Sequence, residues 1–325
     1  MKKLLICAVL LAVAGSVSAQ SFKAGTSGAQ FLKIGVGSRY QAMGEASAAT
    51  VGDVYAMYWN PAGLVEVRNT AVSFTNVDWF LDVNLNYFGL AKYYEDVGVF
   101  GLSASILSTG EQEITTFEQQ AGTGQSYTAS SYAIGFSYAR QLTSKFAFGA
   151  SVKYVGEKID FVKSQGIAFD FGTLLYTGFN SLRLGMSITN MGPELRFTGS
   201  NLEVAYDGRI GEGANDDVLA ELKTTAYDLP LAFRVGLAYD LIINPKALVT
   251  WAIEMKHPND QDQQGAIGAE FAYDKRYFLR GGYKLNYDEE TFALGGGLAL
   301  PVTKETTLQI DYAWQDFGRL QSAQR

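Results

Sequence analysis

Past its leader the chain has no cysteine, a single histidine and no long apolar run. Cys7 is the only cysteine and lies inside the leader, so the mature chain can form no disulfide and has no thiolate for catalysis. His257, the only histidine, precedes Pro258 in what reads as an external loop, without the partners that a catalytic triad or a zinc site requires. No later stretch approaches 18 consecutive apolar residues, which excludes a transmembrane helix. Charge is sparse at 18% of residues. Without Lys2 and Lys3 there remain 24 basic residues against 33 acidic ones. Such a chain has no basic face for a nucleic acid, so no nucleic-acid partner is expected.

The leader is residues 1–19: Lys2 and Lys3, the apolar segment Leu4 to Ala14, then the small residues Val17-Ser18-Ala19. That is a secretory signal peptide for the general export route and too short to be a membrane span. Leu4-Leu5-Ile6-Cys7 has the outline of a lipoprotein box, but too little apolar sequence precedes it.

What the chain does have is Gly (35), Phe (20) and Tyr (19), arranged with period two. In Phe146–Tyr154 the even positions are Phe, Phe, Ala, Val and Tyr, and the odd ones Ala, Gly, Ser and Lys. The same split recurs around Tyr132–Ala139, Leu182–Thr189, Leu231–Asp240, Ile267–Tyr273 and Leu308–Trp314. A soluble sandwich would turn its apolar face inward and carry Lys, Glu and Thr outside. Here the second face is Gly, Ala and Ser with isolated charges, which suits the crowded interior of a closed barrel. Segments of about ten residues, tilted near 45°, span about 23 Å, the height of an outer-membrane apolar band. Thirteen such segments are legible between 68 and 315. Tight connections at one end, such as Glu95-Asp96 and Asp274-Lys275, alternate with longer ones at the other, chiefly 108–126 and 191–226. Outer-membrane barrels have short periplasmic turns and long external loops. The fold class is therefore all-β, a transmembrane antiparallel barrel, with outer-membrane lipid as its first partner.

Residues 20–66 precede the first strand, are rich in Gly and Ala, and are too small-featured to fold alone, which suits a plug inside the barrel. Gly25–Thr50 followed by Asp53-Val-Tyr-Ala-Met-Tyr-Trp-Asn-Pro-Ala-Gly-Leu64 resembles the PorV/PorQ family of outer-membrane proteins, as does Asp311–Gly318. These are similar to FadL, whose barrel has fourteen strands and an N-terminal hatch. The resemblance implies a hatch over 20–66, with Asn60, Pro61, Ala62 and Gly63 seating it against the wall near a side opening. It also implies the outer membrane of a Gram-negative, Bacteroidetes-like bacterium. Locally, Pro61 fixes φ, Asn60 can bond nearby backbone, and Gly63 can take positive φ and let the chain reverse. With thirteen strands where the family has fourteen, the barrel over 67–325 is expected to lack its final strand.

The lumen charges Arg183, Arg234, Glu254, Glu270, Arg280 and Asp311 are expected to pair across the lumen and fix the plug. Asp260, Asp262 and Gln264 approach a calcium loop but lack the Glu at its twelfth position, so they read as a solvated loop. Gly295-Gly-Gly297 precedes no helix and reads as relief of crowding, not a phosphate cradle. Neither catalysis, nor a metal, nor a cofactor is expected. The resemblance implies a component of type IX-like protein secretion, acting through external loops on secreted cargo and other secretion components. The alternative is a FadL-like channel, with a hydrophobic ligand or detergent in the lumen.

Overall fold

The computed structural model describes residues 25–80, 83–205, 219–318 and 322–324; the expected signal peptide and part of the 191–226 connection lie outside them. The wall is one antiparallel sheet of fourteen strands. In chain order these are β1 (Thr70–Asp78), β2 (Asn84–Tyr94), β3 (Gly98–Ser108), β4 (Ala129–Thr143), β5 (Phe146–Ile159), β6 (Val162–Tyr176) and β7 (Arg183–Met191). They continue with β8 (Ala232–Asn244), β9 (Ala247–Pro258), β10 (Gln264–Tyr273), β11 (Tyr277–Leu285), β12 (Phe292–Pro301), β13 (Thr307–Asp316) and β14 (Ser322–Gln324). Every strand pairs with two neighbours, and β14 joins β13 to β1, so the sheet returns on itself. Lipid permits nothing else, because an edge facing hydrocarbon would leave backbone N–H and C=O groups unsatisfied.

The period-two reading of the wall is the one observed. Phe148, Phe233 and Ile310 face outward at 39%, 39% and 58% exposure, while Arg234 is 6% exposed on the inner face. Tyr273 and Tyr277 face outward at the tight-turn end and Tyr154 and Tyr283 nearer the other, where an amphipathic ring suits the headgroup level.

Three features differ from the sequence reading. Ser322–Gln324 is a fourteenth strand, pairing with Trp314–Asp316 on one side and at Asp78↔Gln324 on the other. Three residues are too few for an alternating pattern to be recognised. Strands β4, β5 and β6 have 15, 14 and 15 residues, longer than lipid requires. β5 and β6 join through Asp160-Phe161 alone, with Asp160 at φ 54°, a short hairpin at the long-loop end. His257 belongs to β9 and not to a loop. Above the wall, Thr198-Gly199, in the connection that follows β7, pairs with Val162-Lys163 on this projecting hairpin.

Candidate functional site: the hatch and its anchors

Residues 26–65 run through the lumen from the long-loop end to the tight-turn end. With Glu66 they contain a short helix α1 (Ser38–Ala42), a second, α2 (Ala56–Trp59), and short 3-10 segments at Gln30–Lys33 and Pro61–Glu66. At the outer end Gly28 N donates to Asp228 O at 3.0 Å. At the inner end Glu66 accepts from the Tyr176 hydroxyl. The hatch has its own small core, in which Tyr40, Met57, Trp59 and Leu64 are almost wholly buried. Each such side chain contributes about 1.5–3 kcal/mol of burial. Its segments are too short to stand alone as helices, so the wall determines its shape.

The wall makes room by omitting side chains. A Cβ at Gly149 would lie 2.3 Å from the Pro61 carbonyl carbon, one at Gly185 1.9 Å from Ala48 O, and one at Gly282 2.0 Å from Gly44 N. Gly268 and Gly295 meet Met43 and Ala42 in the same way. These glycines, on β5, β7, β10, β11 and β12, form a belt that lets the hatch backbone touch the wall. Gly295 and Gly297 relieve crowding as expected, the latter by leaving space for the Arg280–Asp311 pair beside it.

The Asn60-Pro61-Ala62-Gly63 stretch sits against β5 and β6. Asn60 is fully buried, with extended φ −158° and ψ 100°. Its Oδ1 accepts from Ala62 N at 3.2 Å, capping the 3-10 turn that Pro61 begins. Its Nδ2 donates to Ala48 O at 2.7 Å and to Thr173 O on β6 at 3.1 Å. One amide thus joins two hatch segments to the wall, beside the β6–β7 register break between Phe169 and Phe171. Gly63 is a correction: its φ is not positive. The position is glycine because a Cβ would lie 2.5 Å from Val51 O, so close approach and not chain reversal is the requirement.

The lumen charges also depart from expectation. They do not pair across the lumen, because the hatch fills it; they pair with adjacent or next-but-one strands or with the hatch itself. Arg39 on α1 grips Glu270 on β10 in a two-bond fork, both at 2.8 Å. Glu270 also accepts from Arg280 Nε on β11 at 2.6 Å, and Arg280 reaches over β12 to Asp311 on β13. Glu254 on β9 pairs with Arg234 on β8 at 2.9 Å, and its other oxygen accepts from Ser47 N and Ala48 N at 2.8 and 2.6 Å. Arg183 pairs with Asp240 at 2.9 Å, on the wall and away from the hatch. Glu45 and Lys33 in the hatch pair with Lys284 and Asp260. Sequence reasoning missed Lys33, Arg39 and Glu45, yet a signal existed: they are the only charged residues between 25 and 52. An isolated charge in a segment composed for burial needs a partner.

Asp260 is a second correction, since it is 1% exposed and not solvated. It accepts from Ser27 Oγ, from Gln30 Nε2 and from Lys33 Nζ, the last at 2.7 Å to Oδ1. Burial alone would raise its pKa, but the hydrogen bonds from Lys33, Ser27 and Gln30 outweigh burial and hold it below the usual carboxylate value. A depressed folded-state pKa contributes stability that is complete above the unfolded value of about 3.9 and lost as pH falls through the folded one. Protection of the 25–33 segment from proteolysis should therefore fall as pH drops below about 3.9, beyond any general loss seen in Asp260→Asn. An unchanged difference between the two proteins down to pH 2 would show that the Asp260 carboxylate does not hold this segment. Trp79 and Phe80 stack with each other and with Phe317 in edge-on contacts of 5.0–5.1 Å. Among the described residues no group of His, Cys, Asp or Glu could hold a metal ion.

The sequence model described as "Type IX secretion system protein PorV" matches residues 17–226. The chain belongs to the PorV family. Solved structures similar to this PorV-family barrel include the Ralstonia pickettii toluene transporter TbuX, with TM-score 0.57 and 16% identity over 89% of this chain and 95% of that one. The P. putida toluene transporter TodX follows, with TM-score 0.56 and 13% identity over 89% and 95%. A Pseudomonas aeruginosa FadL homologue gives 0.51 and 10% over 89% and 94%. No curated protein sequence matches. At these identities the structural neighbours show the FadL-like fold alone. With the family they make this a Gram-negative outer-membrane β-barrel.

Proposed function

We propose that this barrel is a non-enzymatic component of type IX-like protein secretion and surface attachment, exported by the general secretory route and working through its outer face. The observation that supports this reading is the contrast between the two ends. At the tight-turn end strands simply reverse. At the outer end β4–β6 project, Thr198-Gly199 pairs with them, and the loop side chains Phe117, Phe161 and Leu219 stand 94%, 68% and 69% exposed. A lumen filled by a hatch held through buried ion pairs suits a docking scaffold for secreted cargo and other secretion components. The test replaces residues 192–226 with a short Gly-Ser linker, and separately changes Phe117, Phe161 and Leu219 to Ser. Both variants should still assemble in the outer membrane, seen as heat-modifiable migration on gels, and cargo delivery to the cell surface should fall severalfold. Normal delivery by both would defeat this reading.

A second reading is supported by the outer cleft of about 310 Å³, walled by Trp79, Phe80, Tyr287 and Phe317. It is a FadL-like channel for hydrophobic small molecules. Expression in a transport-null host would then restore uptake of an apolar solute such as toluene, and absence of uptake with protein in the outer membrane would count against it.

A further inference from the structure

At the tight-turn end β4 outruns its neighbour. The ladder between β3 and β4 ends at Val99↔Ala139, whereas β4 continues through Arg140 and Gln141 to Thr143, paired there with β5 alone. A Cβ on Gly98 would lie 2.5 Å from Ala139 O, so that carbonyl points toward β3. The backbone groups of a strand alternate between its two neighbours, so Gln141, two residues on, turns its N–H and C=O the same way, past the end of β3. β8 has a matching overhang, since its ladder with β7 ends at Ala238↔Arg183 and the strand runs on to Asn244. There the edge is capped. Two residues past Ala238, Asp240 N donates to the Ser181 hydroxyl at 2.9 Å, and that hydroxyl donates to Asp240 O at 2.7 Å. Among the described residues no side chain caps Gln141 in this way. A free strand edge is a template for another extended chain.

A cavity of about 230 Å³ lies beside this edge. A space of about 150 Å³ already takes a benzene ring, so a side chain fits. Val65, at the end of the hatch, and Val97 and Val99 give it apolar lining. Arg68 and Arg140 line it too, with Asp96 as its one carboxylate, and neither arginine forms an ion pair with a described residue. Two unpaired guanidiniums against one carboxylate favour an acidic visitor. Successive side chains of an added strand point to opposite faces, so apolar residues on one face can enter the cavity while acids on the other meet arginine. Tight turns of outer-membrane barrels face the periplasm. We propose that this notch docks an extended acidic segment of a periplasmic protein, which adds a short strand to β4 at Gln141, seats an apolar side chain in the cavity and pairs its carboxylates with Arg140 and Arg68. The notch lies at the end opposite the outer face, so the proposal rests on neither reading above.

The test uses the purified full chain in a non-ionic detergent and a rhodamine-labelled hexapeptide of alternating Asp and Val, with binding read by fluorescence anisotropy. The peptide should bind at least about tenfold more tightly than its counterpart with Lys in place of Asp. N-methylation of its two central amides keeps the charges but removes a strand-pairing donor in either register, and should weaken binding about tenfold. Arg140→Glu, at an exposed position, should weaken it by about tenfold as well while the barrel stays heat-modifiable. Lys304→Glu, in the β12–β13 turn at the same end, makes the same change of charge away from the notch and should leave binding intact. No binding of the Asp-Val peptide, equal binding of the Lys peptide, or an N-methylated peptide as tight as its parent would each overturn the proposal. So would an unchanged affinity in Arg140→Glu, or a loss in Lys304→Glu as large as in Arg140→Glu.

Discussion

Glu270→Leu should release the hatch. Glu270 is the shared acceptor for two guanidiniums, Arg39 on the hatch and Arg280 on the wall, and its side chain is only 5% exposed. Removing it leaves Arg280 with Asp311 alone and Arg39 with no acid partner on the wall. Breaking a buried pair from one side costs about 3–5 kcal/mol, mostly because a charge is left behind without compensation. Arg39→Met should cost less, about 1.5–3 kcal/mol for the lost charged hydrogen bonds, since Glu270 keeps Arg280 and the Arg39 side chain is itself 23% exposed. Limited trypsin digestion of the folded barrel distinguishes them, because Lys33 and Arg39 are cleavage sites that the docked hatch shields. Cleavage at Arg39 should be rapid in Glu270→Leu. Replacing all four members of the chain with apolar residues (Arg39→Met, Glu270→Leu, Arg280→Met, Asp311→Leu) should restore much of the docking, as apolar substitution of whole buried ion clusters often does. If Glu270→Leu is as resistant as the parent chain, the ion chain does not hold the hatch.

The wall was legible from sequence because lipid imposes a single rule on it. Each inward residue must be small or paired and each outward one apolar, so Phe146–Tyr154 alternates without ambiguity. Where a strand leaves the lipid, the rule lapses and so did the reading. Gly156-Glu157-Lys158 and Val162-Lys163-Ser164 carry no alternating greasy face, yet β5 and β6 continue through them. The hatch was legible as composition but not as contacts. Nothing local in Arg39 or Glu45 names Glu270 or Lys284, more than 200 residues away, as its partner. Asp260 was misread for the same reason: its neighbours in sequence suggest a solvated loop, and its neighbours in space are Ser27, Gln30 and Lys33. Asn60's bond to Ala62 N was legible locally, because an Asx residue before proline turns to nearby backbone, but its bonds to Ala48 O and Thr173 O were not. Gly63 was assigned the property glycines most often supply, positive φ, when the site needed only the absence of a Cβ.

Gly281 and Gly282 offer the sharpest test of the whole arrangement, because they are adjacent and face opposite ways. A Cβ on Gly282 would lie 2.0 Å from Gly44 N and 2.2 Å from the Met43 carbonyl carbon. Those are backbone atoms, and Gly44 is itself at φ 65°, so the hatch cannot yield by turning a side chain. A Cβ on Gly281 would point outward and meet only Leu294 Cδ2, at an ordinary 3.6 Å. Gly282→Ala should therefore force the hatch off the wall at Met43-Gly44, with an overpacking penalty of about 1–3 kcal/mol or more. It should also disturb the neighbouring Lys284–Glu45 pair. Gly281→Ala should fall within about 0.5 kcal/mol of the parent, as surface substitutions do. Denaturant unfolding of the detergent-solubilised barrel would measure both, and trypsin sensitivity at Arg39 would report hatch displacement separately from wall unfolding. Were Gly281→Ala the damaging change and Gly282→Ala the silent one, the inward face would be the wrong one, and the belt of glycines beneath the hatch would fall with it.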